Sequence, residues 1–370
     1  MNNESSLTTE LLNADSSRKL DYFKTQVIVP HKNLKQISNQ LLSKILAPDD
    51  ALVYFVFGVT GIGKTTLRKR LQKVLMETFL DKLRCNPGKI AVSGIEVPSP
   101  EGGKFSHRDY YERVLHSLNE VLIEYKIIYE IHDKVINNFE QKSDRSRNAR
   151  ALRRAVENVF KYRQIEAFMV DEGQHIFATS GAQQMLEQMN WIKSIANLTE
   201  TVHILFGTYD LLNCPNLTGQ IGRRSEDFHF APYYKENKED YTEFKKVALT
   251  FARYMPLVKV PNFENKIDYF IDYSVGSVGL FHGWLYRSLR NCMDEHCNTL
   301  TFKHIKQGEL APYKRKIIRE ELENGNRVFA QLMNDNDNLN ESNTQGEMQE
   351  HFRKRTVGQR CPKRDLVGEN

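Results

Sequence analysis

Residues 51–66 read ALVYFVFGVTGIGKTT, an apolar run that leads into a glycine-rich turn, a lysine and two threonines. The run is short and continuous, as in a strand that is covered on both faces of a parallel sheet. The helical spacing that follows is carried by apolar residues four apart, namely Leu67, Leu71, Leu75 and Phe79. The stretch therefore predicts a buried strand, a flexible loop and an amphipathic helix in direct succession.

The loop between that strand and that helix has the spacing of a phosphate-binding loop. Residues 58–65, GVTGIGKT, fit the pattern G-x-x-x-x-G-K-[ST] at every fixed position. Glycines let backbone N–H groups turn toward phosphate oxygens, and the helix N-terminus adds positive partial charge. We expect Lys64 to reach the β- and γ-phosphates of ATP and Thr65 to offer its hydroxyl to Mg²⁺. The predicted nucleotide-binding residues are Gly58, Val59, Thr60, Gly61, Ile62, Gly63, Lys64, Thr65 and Thr66.

A second apolar run, AFMVDE at residues 167–172, ends in two carboxylates. Carboxylates at the tip of a buried strand are costly unless they meet a cation. Because the pair follows a phosphate loop, it predicts that Asp171 holds Mg²⁺ and that Glu172 polarises the attacking water. An ordinary strand-end turn is the alternative interpretation.

Polar side chains also mark a further strand end and a later loop. HILFGTYDLL, at 203–212, ends a strand in Thr208, whose hydroxyl would sense the γ-phosphate or the water; a simple strand-end hydroxyl is the alternative. GQIGRRSEDFHF, at 219–230, places Arg223 and Arg224 side by side. An arginine presented to a neighbouring subunit's γ-phosphate would stabilise transition-state charge. A surface ion pair or a DNA contact is equally open for each arginine, and we predict that one of the two acts in trans.

The order of the elements predicts an α/β fold with a parallel sheet flanked by helices, because strand-like and helix-like segments alternate up to about residue 235. Beyond that point the sequence reads as helices only. We therefore expect a flexible segment over 1–24, a nucleotide-binding α/β domain over 25–235, a helical lid subdomain over 236–333 and a disordered tail over 334–370.

Composition excludes several classes of protein. Lys and Arg exceed Asp and Glu by 52 − 47 = 5, which is only mildly basic. Five scattered cysteines without C-x-x-C spacing argue against a disulfide framework or a zinc site and fit a reducing cytosol. The polar N-terminus gives no secretory signal, and no apolar run approaches the roughly 20 residues of a membrane helix.

Taken together, the phosphate loop, the VDE strand, the sensor strand, the paired arginines and the helical lid resemble the AAA+ ATPases. Within that superfamily, four stretches look like the transposition regulators of the TniB/TnsC type. These stretches are VDEGQH (170–175), LFGTYDLL (205–212), RRSEDFHFAPY (223–233) and GSVGLFHGWL (276–285), and the resemblance covers roughly residues 25–300.

The resemblance implies an ATP-dependent homo-oligomer that forms rings or helical filaments on double-stranded DNA in the bacterial nucleoid. Such a protein links a target selector, either a protein or a guide-RNA complex, to the transposase subunits, and ATP hydrolysis disassembles it. One departure is that the lid has His282, and no arginine, where many AAA+ proteins present a sensor arginine. The alternatives are a replication initiator or helicase loader of the same superfamily, and a scaffold that binds ATP without hydrolysing it.

Charge distribution suggests where DNA binds. Residues 141–163 carry eight Lys or Arg against two acids, and Arg147, Arg150 and Arg154 share one helical face. A row of guanidinium groups suits a phosphate backbone and gives binding that depends on salt but not on base sequence. A second candidate is the loop with Lys104, His107 and Arg108, and a solvated charged surface is the alternative for both.

Overall fold

The computed structural model describes residues 9–48, 51–123, 141–178, 181–213 and 225–344. Within these residues, five strands form one sheet whose neighbouring strands are all parallel. The strands are β1 (Val53–Phe57), β2 (Val92–Glu96), β3 (Ala167–Asp171), β4 (Val202–Gly207) and β5 (Ser225–His229). They lie in the order β2-β3-β4-β1-β5, so the strand that precedes the phosphate loop is flanked on both sides.

Helices cover the sheet and form a second layer of structure after it. In chain order they are α1 (Thr9–Leu12), α2 (Ser16–Thr25), α3 (Lys32–Leu46), α4 (Lys64–Thr78), α5 (Leu80–Cys85), α6 (His107–Ser117), α7 (Gln141–Tyr162), α8 (Ala182–Thr199), α9 (Lys238–Arg253), α10 (Ile267–Tyr273), α11 (Val278–Asp294), α12 (Phe302–Gln307) and α13 (Pro312–Thr344). The predicted α/β fold with a helical C-terminal region is confirmed.

The sheet brings the carboxyl ends of its strands to one edge. Every residue of β1, β3 and β4 is buried, which explains why their sequences are continuous apolar runs without alternation. Phe57 lies opposite both Gly207 and His229, and Glu96 lies opposite Asp171. The polar residues that follow β1, β3 and β4 therefore emerge close together.

Apolar side chains form two cores. The larger one surrounds the sheet and includes Phe55, Leu71 and Phe206. The smaller one joins α9, α10, α11 and α12, with Trp284 and Phe281 fully buried at its centre. This second core is the helical lid that the composition of the sequence predicts.

Both ends of the expected domain division differ in the structure. The flexible segment expected over 1–24 does not hold for α2, because Phe23 of that helix is fully buried in the lid core. The lid was expected to run to residue 333, but α13 instead packs on the core of the sheet through Leu322 and Phe329. The same helix continues to Thr344, past the predicted start of the tail at residue 334.

Among the described residues, none of the helices combines the length and apolar character that crossing a membrane requires.

Candidate functional site

The phosphate loop lies between β1 and α4, as its sequence predicts. Gly63 precedes α4 with φ 114°, a backbone conformation that L-residues with side chains rarely adopt. The amino group of Lys64 is buried and donates to the carbonyl oxygens of Gly58 at 2.8 Å and Val59 at 3.2 Å. Burial lowers the pKa of Lys64, so its charge gains strongly from an anion placed in the loop.

Two of the residues predicted to hold magnesium meet directly. Thr65 Oγ1 donates to Asp171 Oδ2 at 3.0 Å, and Arg68 Nε, one turn further along α4, donates to the same oxygen at 3.1 Å. Asp171 is buried at the end of β3, so the arginine supplies the cation that a buried carboxylate requires. Two hard oxygen donors in contact fit a magnesium ion, which prefers oxygen ligands. The role of Arg68 was not predicted, although its position one turn after Thr65 was visible.

Glu172, Gln174 and Thr208 form a short chain of hydrogen bonds at the same edge of the sheet. Gln174 Nε2 donates to Glu172 Oε2 at 2.6 Å, and Gln174 Oε1 accepts from the backbone N–H of Thr208 at 3.3 Å. The hydroxyl of Thr208 turns to Asp210 Oδ2 at 3.0 Å. Gln174 thus links the backbone of Thr208 to Glu172. The hydroxyl of Thr208, however, makes a local contact with Asp210, as a simple strand-end hydroxyl would.

The lid contacts the phosphate loop directly. Ser277 caps α11 by accepting from the N–H of Leu280, and it donates to the carbonyl oxygen of Gly61 at 3.0 Å. A Cβ at Gly279 would lie 2.2 Å from that same carbonyl oxygen, so only glycine allows the approach. The GSVG stretch therefore matters because it packs against the loop.

A carboxylate from α13 also reaches the phosphate loop. Glu321 Oε1 accepts from the backbone N–H of Thr60 at 3.0 Å and from the Thr60 hydroxyl at 3.2 Å. Nearby, Gly325 packs on the ring of Tyr209, where a Cβ would lie 2.2 Å from a ring carbon. The sequence did not predict the contact between Glu321 and Thr60, because 261 residues separate the two and no local sequence pattern indicates it.

Next to the loop lies a cleft of about 650 Å³ between the N-terminal segment, α4 and the lid. Apolar residues of the cleft include Val29, Ile62 and Val278, and His282 also lines it. Along α4 the lining is polar and basic, with Thr66, Lys69, Arg70 and Lys73. An apolar slot that opens on a phosphate loop fits the base and ribose of a nucleotide. Of these residues, the sequence analysis predicted only Ile62 and Thr66 as nucleotide-binding.

Two histidines of this cleft are structural. His31 Nδ1 bonds the hydroxyl of Tyr233 at 2.9 Å, and burial lowers the pKa of His31 to about 4, so its ring is neutral. His282 Nε2 donates to the carbonyl oxygen of Phe23 at 2.9 Å, and burial lowers its pKa as well. His282, at the expected place of a sensor arginine, therefore joins the lid to α2.

The DNA-binding candidates fall on adjacent helices. Arg150 and Arg154 are exposed on α7, and Lys104 is exposed just before α6. Arg108 is exposed on α6 and pairs with Glu112 at 2.8 Å. The side chain of Arg147 lies outside the described part of the structure. The two predicted segments thus lie side by side, since α6 packs on α7.

His107 differs from this prediction. Its ring is half-buried and meets Trp191 edge-on at 4.7 Å, and burial lowers its pKa. Trp191 in turn donates to the hydroxyl of Tyr111 at 2.6 Å. A neutral ring packed among aromatic groups is a poor phosphate contact. Arg223 and Arg224, the predicted trans arginines, lie outside the described residues.

The lid contains one group of side chains with metal-ligand chemistry. The ligand atoms of Glu295, Cys297 and His304 lie within 4.8 Å of one another. Both carboxylate oxygens of Glu295 are bonded by Lys303, at 3.0 and 3.3 Å. Nδ1 of His304 accepts from the N–H of Thr301, which leaves the proton on Nε2, the nitrogen that faces Glu295. The group is therefore an ion-pair cluster at the start of α12.

One family model and several solved structures are similar to this chain. The family described as AAA domain matches residues 48–214. The ADP form of the ORC2 protein of Aeropyrum pernix aligns with a TM-score of 0.50 at 12% identity, over 79% of this chain and 71% of that chain. Domain III of the replication initiation protein DnaA of Thermotoga maritima aligns at 0.40 and 11%, over 78% and 95%. No curated protein sequence matches the chain.

These findings establish the fold. Residues 48–214 match the family described as AAA domain, and that segment includes the phosphate loop, Asp171, Glu172 and Thr208. The solved structures share so little sequence with this chain that their likeness concerns the fold alone. The helical region after the sheet lies outside the family match, and its likeness to the solved structures concerns the fold alone.

Proposed function

We propose that this protein is an AAA+ ATPase that assembles on double-stranded DNA when ATP is bound and regulates DNA transposition. The observation that carries the proposal is the meeting of Thr65 Oγ1 and Asp171 Oδ2, 3.0 Å apart, beside the buried amino group of Lys64. Glu172 follows Asp171 directly and supplies a carboxylate for water activation. The phosphate loop, the proposed metal ligands and the candidate general base would thus act together at one edge of the sheet.

Each of these residues would act on a different part of the bound nucleotide. Amide groups of the loop and the start of α4 would bind phosphate oxygens, and Lys64 would exchange its two carbonyl partners for the β- and γ-phosphates. Thr65 and Asp171 would hold Mg²⁺, which neutralises charge on the phosphates when it is bound. The cleft walled by Val29, Ile62 and Val278 would take the base.

ATP would also join one subunit to the next. One of Arg223 and Arg224 would reach the γ-phosphate bound by a neighbouring subunit, so that assembly depends on an intact triphosphate. Hydrolysis would then release the contact. The rate of ATP hydrolysis would then set how long the protein oligomer stays on DNA in the bacterial nucleoid.

The link to transposition rests on short sequence features. VDEGQH and GSVGLFHGWL resemble the TniB/TnsC-type regulators more specifically than the phosphate loop does. The second of these stretches lies against the phosphate loop through Ser277 and Gly279, which supports a functional role for it. The partners would then be transposase subunits and a target selector, either a protein or a guide-RNA complex.

The proposal is tested by measuring the ATPase rate with and without duplex DNA at two salt concentrations, with electron microscopy of the same mixtures. We expect DNA to raise the rate and rings or filaments to form on DNA only with ATP. Transposition reconstituted with candidate transposase subunits tests the biological role. Absence of DNA binding at low salt would remove the proposal.

A second candidate is a replication initiator or helicase loader of the AAA+ class, which the shared fold with an ORC2 protein favours. It predicts loading of a helicase onto DNA and no effect on transposition. A scaffold that binds ATP without hydrolysing it is a third possibility. It predicts assembly with ATP and no release of phosphate, whereas the carboxylate of Glu172 beside the metal ligands favours hydrolysis.

Replacing Glu321 by glutamine is expected to strengthen ATP binding. Its carboxylate bonds the N–H and hydroxyl of Thr60 on the phosphate loop, where it competes with and repels phosphate oxygens. Losing one partly exposed charge should improve the affinity by about 0.5–1 kcal/mol, roughly two- to fivefold. Titration with a fluorescent ATP analogue measures the change. Glu320, exposed on the same helix, is the matched control, and equal affinities for Glu321→Gln and Glu320→Gln would contradict the prediction.

Replacing Arg150 and Arg154 together by alanine is expected to weaken DNA binding on every sequence. Both are exposed on α7, where guanidinium groups suit a phosphate backbone. Two lost phosphate contacts should reduce the slope of log affinity against log salt by about two. Fluorescence anisotropy with labelled duplex DNA at several salt concentrations measures both quantities.

The control for that experiment removes the same charge from the lid. Lys246 and Arg290 are exposed there, and replacing both by alanine should leave the salt slope unchanged. ATP binding should be normal in both double variants, because all four residues lie outside the nucleotide cleft. If the α7 variant keeps the wild-type salt slope, then α7 is not the DNA-binding surface.

A further inference from the structure

Gln174 connects the candidate catalytic base to the end of a neighbouring strand. Its Nε2 donates to Glu172 Oε2 at 2.6 Å, and its Oε1 accepts from the backbone N–H of Thr208 at 3.3 Å. Glu172 follows β3, and Thr208 follows β4, which pairs with β3. One side chain therefore spans the carboxyl ends of two adjacent strands.

The chemistry of the two partners fixes the orientation of the Gln174 amide. An ionised carboxylate only accepts hydrogen bonds and a backbone N–H only donates them, so Nε2 must face Glu172 and Oε1 must face Thr208. Rotating the amide by half a turn would place donor against donor and acceptor against acceptor. The side chain is thereby held at both ends.

The surrounding backbone leaves room for this arrangement. Gly207 precedes Thr208, and a Cβ there would lie 2.6 Å from Oε1 of Gln174 and 2.7 Å from a methyl carbon of Leu211. Glu172 itself has φ 53° and ψ 37°, the left-handed conformation. Non-glycine residues adopt this conformation uncommonly, and here it sets the direction in which the Glu172 side chain leaves the strand end.

We propose that Gln174 is a positioning residue for ATP hydrolysis, and this inference rests on the role of Glu172 in the proposed function. By holding Oε2, it directs the other carboxylate oxygen, Oε1, toward the attacking water. In the reaction the water oxygen bonds to the γ-phosphorus while the bond from that phosphorus to the β–γ bridging oxygen breaks. The bonding electrons leave with ADP, and a water proton passes to Glu172 and then to solvent.

The contact with Thr208 gives Gln174 a second role. Because the amide is anchored to the backbone of β4, a shift at the end of β4 moves Glu172 as well. β4 would then act on the general base, Glu172, through the N–H of Thr208. The hydroxyl of Thr208 would not take part, because it is bonded to Asp210. Gln174 thus deepens the proposed sensor role of that strand end.

Two substitutions separate positioning from folding. Gln174→Met keeps the length of the side chain and removes both hydrogen bonds, whereas Gln174→Glu keeps an acceptor for Thr208 and loses the donor for Glu172. Both should lower kcat, by up to about 100-fold, since a small misplacement of a reacting group has effects of that size. KM and the affinity for ATP should stay within about twofold of wild type, because the hydrogen bonds of Gln174 go to Glu172 and to the backbone N–H of Thr208 and not to the phosphate loop.

Gln183→Met is the matched control, because Gln183 is an exposed glutamine whose amide makes only a long contact with Glu187, at 3.5 Å. It should keep wild-type kcat. A Gln174 variant with wild-type kcat overturns the inference, whether or not its KM rises.

A double variant tells the failure of this inference from the failure of the proposed function. In a Glu172→Gln background, Gln174→Met should cause no further loss, since it acts through Glu172. If the Gln174 change lowers turnover by the same factor in both backgrounds, the positioning role is wrong. If Glu172→Gln alone hydrolyses ATP normally, then Glu172 is not the general base, and the positioning role of Gln174 is wrong as well.

Discussion

Replacing Lys64 by alanine is expected to weaken ATP binding strongly and thereby to abolish assembly on DNA. The amino group of Lys64 is buried in the phosphate loop and bonds only backbone carbonyl oxygens there. A triphosphate would give it charged partners, and charge-assisted hydrogen bonds are worth about 1.5–3 kcal/mol each. One such bond lost corresponds to a roughly 10- to 100-fold weaker affinity. Isothermal titration calorimetry with a non-hydrolysable ATP analogue measures the loss, and electron microscopy shows whether rings or filaments still form.

The control for Lys64→Ala is Lys82→Ala, which removes the same charge from an exposed position beyond the far end of α4. That variant should bind ATP and assemble like the wild type. Thermal unfolding of both variants without nucleotide separates loss of binding from loss of structure. An Lys64→Ala protein that is folded and still assembles with ATP would contradict the proposal that a nucleotide joins the subunits.

Replacing Glu172 by glutamine is expected to stop hydrolysis while ATP binding and assembly persist. Glutamine has nearly the same shape as glutamate but cannot take a proton from water. Loss of a general base lowers kcat by about 10²–10⁴-fold. Because assembly depends on the γ-phosphate and release depends on hydrolysis, oligomers of this variant should stay on DNA longer than those of the wild type. Phosphate release and the lifetime of DNA-bound oligomers are the two measurements.

Glu96 provides the matched control for Glu172. It lies at the end of β2, opposite Asp171, and is an exposed carboxylate at the same edge of the sheet. Glu96→Gln should hydrolyse ATP at the wild-type rate. If it loses as much activity as Glu172→Gln, then general charge at this edge matters and Glu172 is not the specific base. Normal turnover in Glu172→Gln would show that another group activates the water.

The two substitutions also separate the possible functions. A protein that uses ATP only as a structural ligand loses assembly with Lys64→Ala and is unaffected by Glu172→Gln. A hydrolysing regulator responds to both, in opposite directions: one variant fails to assemble and the other fails to disassemble.

The part of the site that lies close in sequence was predictable. Residues 58–63 form a loop between β1 and α4. Asp171 lies against Thr65 because it is the last residue of a buried strand and emerges at the edge of the sheet where the loop lies. Apolar runs and glycine spacing report burial and backbone conformation directly, and both are local properties. The buried strands β1, β3 and β4 follow from the same patterns, whereas β5 is half-exposed and has no apolar run.

Other predictions were wrong or incomplete because they needed tertiary contacts. His107 was read as part of a basic loop, but its ring packs against Trp191, 84 positions later in the chain. The N-terminal 24 residues look polar, yet α2 buries Phe23 in the lid core. A single buried aromatic residue such as Phe23 hardly changes the composition of a polar helix. The residues that surround it belong to the lid, which only the tertiary structure brings next to α2.

The sequence by itself determined the strand, loop and helix around Lys64, the carboxylates at the end of β3 and the change to an all-helical region, since each depends on the periodicity of a few neighbouring residues. Only the tertiary structure decided that Glu321 reaches Thr60, that Gln174 joins Glu172 to Thr208 and that the lid lines the cleft beside the phosphate loop. Those contacts depend on how helices and strands distant in the chain pack, and packing is decided by the shape of the whole core.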